Sequence, residues 1–240
     1  LGKGIPMPLK HGKNLYKLKF DLPDAKLWDL ETPYLYQLHA AVLVNGTCTD
    51  RLAQQFGMRS FTQDTESPQR KGMFYLNGRS IRLRGANTMG FEQQDVLRGD
   101  LPQLIDDILL AKLCNMNFLR LTQRPVQDEV YEYCDKLGLM TQTDLPLFGV
   151  MRRFRVPEGI RQAEELVRMV RKHPCNIVVS YINEPFPNAN NEPHRHLIRP
   201  ELENYIAEYE VANLPALRTD AKRRSVEGKM QKLKDLYLND

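Results

Sequence analysis

The chain has 240 residues, 42% hydrophobic and 27% charged, with a formal net charge of +4. That composition sustains a packed core and excludes wholesale disorder. It also gives no electrostatic footprint for nucleic acid. The basic clusters Arg152, Arg153, Arg155 and Lys222, Arg223, Arg224 lack aromatic interleaving and read as solvated surface. No apolar run reaches the roughly 18 residues of a bilayer span. The four cysteines, Cys48, Cys114, Cys134 and Cys175, form no CxxC pair, so neither a zinc site nor a disulfide framework is indicated. The opening Leu1-Gly-Lys-Gly-Ile-Pro6 is neither an initiator methionine nor a signal peptide, and implies a start inside a longer polypeptide.

Up to about residue 62 the rhythm is that of short strands. Leu15 to Phe20 alternates apolar and polar side chains, as does Leu35 to Val44. Asn45-Gly46 follows, a two-residue hairpin signal because both residue types tolerate positive φ. Helical periodicity is absent, so this region is expected to form part of an antiparallel β-sandwich. Asp64 to Gly72 is polar, contains Pro68, and reads as a linker. A hairpin is expected next, Met73 to Leu76 and Ser80 to Arg84, around Asn77-Gly78.

Strands and helices then alternate. Asp100 is a plausible N-cap for a helix bearing Leu101, Leu104, Ile105, Ile108 and Ala111 at helical spacing. The strand Asn117 to Thr122 precedes a helix with Val126, Val130, Tyr133, Cys134 and Leu137 on one face, stopped by Gly138. A strand from Leu139 to Thr143 ends in Asp144-Leu-Pro, and a helix follows with Ala163, Leu166, Val167 and Val170. Ile177 to Ile182 is nearly all apolar or β-branched, as suits a strand covered on both faces, and runs into Asn183-Glu184-Pro185. A last helix carries Leu202, Tyr205, Ile206 and Tyr209. Repeated βα units imply a parallel sheet, open or closed into a barrel. No GxGxxG or P-loop follows any strand, which argues against an open nucleotide-binding sheet. In a barrel the chemistry gathers at the strands' C-terminal ends. Arg120 with Gln123, Asp144, and Asn183 with Glu184 all fall there.

Several segments, in order, resemble glycoside hydrolase family 2, the family of β-galactosidases, β-glucuronidases and β-mannosidases. Trp28 to Tyr36 and Phe56-Gly-Met-Arg-Ser-Phe61 are similar to the end of its immunoglobulin-like domain. Phe74 to Asn87 looks like the entry into its (β/α)8 TIM-type barrel, and Asn117-Phe-Leu-Arg120 with Tyr131 to Gly138 looks like the second strand and helix. His173-Pro174 followed by Ser180-Tyr-Ile-Asn-Glu-Pro185 is similar to the fourth strand with its Asn-Glu acid/base pair, and Arg218 to Arg223 to the basic turn before the fifth strand. The resemblance implies a multidomain chain: an immunoglobulin-like β-sandwich, partial, over 1–63, then a TIM-barrel catalytic domain over 64–240 with its first four βα units visible.

It further implies a retaining exo-β-glycosidase acting on a β-glycoside. Such an enzyme uses two carboxyl groups about 5–5.5 Å apart, a nucleophile and an acid that later acts as base. Glu184 takes the acid/base position, Asn183 would bond the sugar 2-hydroxyl, and Arg120 would orient the nucleophile and keep it ionised. Asn87, at the end of the first strand, joins the substrate-binding set. Asp144 is a contact to substrate, a support behind such a contact, or a cap of its own loop. Trp28 reads as packing rather than a sugar platform, and His194 and His196 as loop residues.

The mechanism needs no cofactor, and no metal ligands are expected. The partners implied are a carbohydrate substrate, with no nucleic acid and no membrane. A homo-oligomer is one way to complete half a barrel, a longer chain another. The tail Lys229 to Leu238 is amphipathic and a candidate for covering the exposed half.

The departures are specific. The family's nucleophile is a glutamate ending barrel strand seven, and none of Glu192, Glu201, Glu203, Glu208, Glu210 or Glu227 ends an apolar strand. The family's frequent Ser-His-Tyr-Pro run is Thr122-Gln-Arg-Pro125 here, and Thr88-Met-Gly-Phe91 lacks the family's histidine. Asp144-Leu-Pro-Leu-Phe148 leans toward the mannosidase and glucosaminidase branches. The missing nucleophile keeps a second reading open, a carbohydrate-binding or scaffolding relative that retained the fold without catalysis.

Overall fold

The structure, a computed structural model, describes residues 5–8, 10–148, 155–183, 228 and 231. Glu184, His194, His196, the helix expected over 202–209, most of the 229–238 tail and the later candidate carboxylates lie outside the described residues, as do Arg152, Arg153 and Lys222 to Arg224.

The first ladder is the expected hairpin. β1 (Tyr36–Val44) pairs antiparallel with β2 (Thr47–Phe56). Asn45 and Gly46 sit at φ 51° and 80°, the left-handed pair that a tight two-residue turn requires. Both faces of this ribbon are largely exposed, with Leu38, Val42, Leu43, Val44 and Leu52 among its open apolar side chains. The alternation at Leu15 to Phe20 produces no strand; the segment is irregular and exposed. Alternation supplies a face for a ladder but not a partner strand, and among the described residues none lies alongside.

A three-stranded sheet follows in the order β3 (Phe61–Gln63), β4 (Phe74–Leu76), β5 (Arg79–Ile81). The polar stretch 64–72, expected to be a linker, instead forms the loop of the β3–β4 hairpin. Gly72 N donates to Asp64 O at 2.7 Å and Asp64 N to Met73 O at 2.9 Å. Its polarity reflects a solvated turn, and the chain on either side is one sheet.

The remaining strands form a parallel sheet, β6 (Gly85–Thr88), β7 (Phe118–Leu121), β8 (Met140–Asp144) and β9 (Asn176–Ser180), in sequence order. The crossovers carry α1 (Phe91–Arg98) and α2 (Leu101–Leu113), then α3 (Asp128–Leu137), then α4 (Val156–Val170). Consecutive neighbours joined by helices are the first half of a (β/α) barrel in strand order. Asp100 caps α2 as expected, its carboxylate accepting from Gln103 N at 3.2 Å. Gly138 ends α3 at φ 67°. The apolar stripes are inside: Leu104, Ile108 and Leu109 of α2, Val130, Cys134 and Leu137 of α3, and Leu166 and Val170 of α4 are buried. Each large aliphatic among them contributes about 1.5–3 kcal/mol of burial.

Helix α1 was not expected. Its sequence has no apolar stripe, and Glu92, Gln93 and Asp95 are its buried residues. Beside the packing of Val96 against the core, polar contacts hold it: Thr88 Oγ1 donates to Glu92 Oε1 at 2.8 Å, and Gln93 Nε2 to Pro125 O at 3.2 Å. A helix seated by hydrogen bonds leaves little trace in a hydrophobic pattern.

Candidate active site

Strand register decides which side chains meet. Asn87 of β6, Arg120 of β7 and Gln142 of β8 are consecutive Cα partners, so their side chains share one face of the sheet. Asp144, two residues beyond Gln142, shares it too. The opposite face belongs to the helices, where Thr143 Oγ1 meets Tyr131 Oη of α3 at 3.0 Å.

Arg120 lies across the strand ends and grips Asp144. Its Nη2 donates to Oδ2 at 2.6 Å and its Nε to the same oxygen at 3.0 Å. Nη2 also donates to Asn183 Oδ1. Asp144 is fully buried, with side-chain exposure of 0% against 12% for Arg120. Two further donors complete its environment: Gln123 N to Oδ2 at 3.1 Å and Gln142 Nε2 to Oδ1 at 3.0 Å. Gln123 takes a left-handed φ of 68° to do this, a conformation that costs a non-glycine residue about 1–2 kcal/mol. Gln142 is buried with its Oε1 unpartnered among the described residues, a further cost of roughly 1–3 kcal/mol. Local stability is given up here to fix one carboxylate.

Asn183 reaches the group from the chain beyond β9. Its N donates to Leu147 O at 2.7 Å and it forms a parallel bridge with Phe148. The structure thus brings Arg120, Asp144 and Asn183 into one hydrogen-bonded set. Asn87 stands beside it in register, exposed and outside the set. Of the three readings open for Asp144, its geometry is that of a support, because both oxygens are occupied by protein donors. Gln142 was missed as a member, and Gln123 was placed at the strand end with Arg120 without its backbone contact to Asp144. The period-two spacing of Gln142 and Asp144 was the available signal for the first; a positive φ at Gln123 has none.

A second polar cluster lies at the other end of the sheet. Asp135 of α3 accepts from Cys175 N at 2.9 Å and lies 2.7 Å from His173 Nδ1. Trp28, fully buried, donates its indole N–H to Asp135 O at 2.7 Å. The indole therefore packs against the barrel helix. Arg59 donates to Pro174 O and Asn176 O at 3.0 and 2.6 Å, and burial lowers its pKa. Lys112 reaches Leu30 O, Leu137 O and Gly138 O at 2.9, 2.6 and 3.1 Å. Burial brings its amine down to about 8. Burial also pushes the Cys134 and Cys175 thiols up, which keeps them protonated and unsuited to nucleophilic work. Among the described residues no group of three or more His, Cys, Asp or Glu is placed to hold a metal ion, and no helix is long and apolar enough to cross a membrane.

Comparison with known proteins fits this layout. Residues 5–59 match the model of glycosyl hydrolases family 2, and residues 69–211 match the TIM barrel domain of the same family. The chain belongs to glycosyl hydrolases family 2. Among curated relatives, a putative β-glucuronidase of Formosa agariphila is 32% identical over 178 residues, 72% of this chain and 21% of that protein. A β-galactosidase of Erwinia tasmaniensis is 29% identical over 193 residues, 75% of this chain and 18% of the relative. The Mus musculus β-glucuronidase is 28% identical, with coverage of 70% and 26%. This family 2 chain therefore spans about a fifth of the length of the relatives it matches. Among solved structures, a Parabacteroides merdae β-glucuronidase superposes with TM-score 0.58 at 18% identity, over 88% of this chain and 23% of that one. The shared fold is a multidomain family 2 enzyme fold, an immunoglobulin-like domain followed by a TIM barrel.

Proposed function

We propose that this chain supplies the acid/base side of a β-glycosidase active site, hydrolysing β-glycosides from the chain end with retention of configuration. The observation that carries it is the meeting of Arg120, Asp144 and Asn183, drawn from three parts of the sheet, at the C-terminal strand ends. We assign residues 1–63 to the immunoglobulin-like unit and 64–240 to the barrel unit, with the β3–β4 pairing spanning the junction. The two family matches, to residues 5–59 and 69–211, fall on either side of this division.

Glu184 immediately follows Asn183 and is the acid/base carboxyl: it protonates the leaving oxygen, then deprotonates the water that releases the sugar. Asn183 holds a sugar hydroxyl close to the reacting carbon, a contact that strengthens as the ring flattens toward the transition state. Arg120, paired with Asp144, orients the nucleophile and keeps it ionised. Asn87 contributes a second polar contact from the first strand. The nucleophile is not assigned to any residue of this chain. Retention is the outcome that two carboxyl groups of this kind would give, and relatives named β-glucuronidase and β-galactosidase support a β-configured substrate.

The test is hydrolysis of a panel of aryl β-glycosides by the full-length protein, with the product anomer followed by proton NMR. Release of the β-anomer first, lost in Glu184→Gln, supports the reading. Sugar binding without turnover contradicts it, and release of the α-anomer first contradicts retention.

A further inference from the structure

We propose that Asp144 is a positioning residue that sets the orientation of the Asn183 amide through the Arg120 guanidinium, an inference that rests on the glycosidase reading above. A guanidinium carries five N–H donors and no acceptor. The Asn183 atom turned toward Arg120 Nη2 must then be its oxygen, which is how the contact stands. The amide nitrogen, with its two N–H donors, is thereby turned away from Arg120. A sugar hydroxyl oxygen meeting Asn183 is met by a donor. Were the amide reversed, the hydroxyl would meet an acceptor, and a hydrogen bond aimed at its oxygen would be lost.

What holds Arg120 in place to impose this choice is Asp144. The carboxylate takes Nε and Nη2 together, a fork that fixes the guanidinium plane as well as its position. Asp144 is itself immobilised by Gln142 Nε2 and Gln123 N, and it is fully buried. With both oxygens engaged and no exposed surface, it has no route to a substrate. Its influence passes through Arg120 to Asn183. The direction of dependence is clear: removing Asp144 frees the guanidinium to rotate, and Asn183 loses the partner that selects its amide orientation.

The experiment is a double-substitution cycle in the full-length protein, reading kcat and KM on an aryl β-glycoside for Asp144→Asn, Asn183→Ala and the two combined. Misplacement of a contact made mainly in the transition state lowers kcat. Asp144→Asn should therefore reduce kcat by about ten- to a hundredfold while KM changes less than about threefold. The combined variant should be no slower than Asn183→Ala alone, within about threefold, because both substitutions remove one interaction. Losses that multiply overturn the proposal, as does an Asp144→Asn enzyme with normal kcat or a defect in KM alone. Far-ultraviolet circular dichroism checks folding. If Asp144→Asn does not fold, Arg120→Gln combined with Asp144→Asn takes its place in the cycle, since it leaves no unpaired buried charge, and the same lack of further loss with Asn183→Ala is expected. A wild type that turns over no aryl β-glycoside overturns the glycosidase reading and this proposal together. Turnover by the wild type with multiplying losses overturns this proposal alone.

Discussion

The parallel sheet carries a fully buried aspartate near each end, and the two are used differently. Asp135 accepts from the backbone of Cys175, pairs with a buried histidine, and sits beneath the Trp28 indole. All its partners tie one piece of the chain to another. Asp144 binds an arginine whose Nη2 also donates to the asparagine beyond β9. Burial of a carboxylate therefore says little about its role; the identity of its partner says much. At the N-terminal end the partners are the protein's own packing, which fits the rule that this face of a barrel serves stability. At the C-terminal end they lead through Arg120 to Asn183, the residue before Glu184, which fits the face where barrel enzymes work.

Asp135→Ala strands His173 Nδ1 and the Cys175 N–H, each costing roughly 1–3 kcal/mol when buried without a partner. A loss on the order of 4 kcal/mol is expected from denaturant midpoints, with activity per folded molecule unchanged. A large loss of activity in the folded fraction would show that the two ends are not separate in role.

Gly138→Ala acts at the same end. Gly138 lies at φ 67°, and an added Cβ would come within 2.4 Å of Leu30 O. The left-handed penalty and the backbone clash together should cost about 3 kcal/mol, read as a lower midpoint; a neutral result would mean that the Trp28 segment does not rest on α3.

Lys112→Met removes the donor shared by three carbonyls and should cost about 2 kcal/mol near neutrality. The pH dependence has a definite sign. Burial lowers the folded pKa to about 8, below the ordinary 10.5. Between those values the unfolded chain keeps the proton and the folded chain releases it, so this group's contribution to stability rises with pH. The gap between wild type and Lys112→Met should be wider at about pH 10 than at about pH 7. An unchanged or narrower gap would contradict the burial assigned to this amine.

The smallest effect concerns the thiols. Cys134 and Cys175 are buried with raised pKa values, whereas Cys48 is partly exposed. A thiol reagent should label Cys48 in the native protein and reach the two buried thiols only on unfolding. Rapid native labelling of Cys175 would mean that the Asp135 cluster opens readily.

The parallel sheet was legible because its strands are short, two of them (β7 and β9) are largely apolar, and amphipathic helices with recognisable ends separate them. Asp100 and Gly138 announce α2 and α3 by chemistry that depends only on neighbouring residues. Helix α1 was not legible, since its contacts from Glu92 and Gln93 go to Thr88 and Pro125, which no periodicity encodes. Leu15 to Phe20 misled in the opposite sense, offering alternation without a neighbour to pair with. At the candidate site, Arg120, Asp144 and Asn183 could each be picked out as residues ending a strand. That Asp144 and Arg120 form a pair depends on the register of β7 against β8, a long-range property that sequence order leaves open. The Asp135–His173 pair was hidden for the same reason, its members being 38 positions apart.

The most direct test of the account measures catalytic activity and stability together for Asn183→Ala in the full-length protein. The account predicts that kcat/KM on an aryl β-glycoside falls by about a hundredfold or more, while stability changes by no more than about 1–2 kcal/mol, the cost of leaving one Arg120 donor unpaired. An Asn183→Ala protein that retains full activity would contradict the assignment of the C-terminal strand ends as the working face.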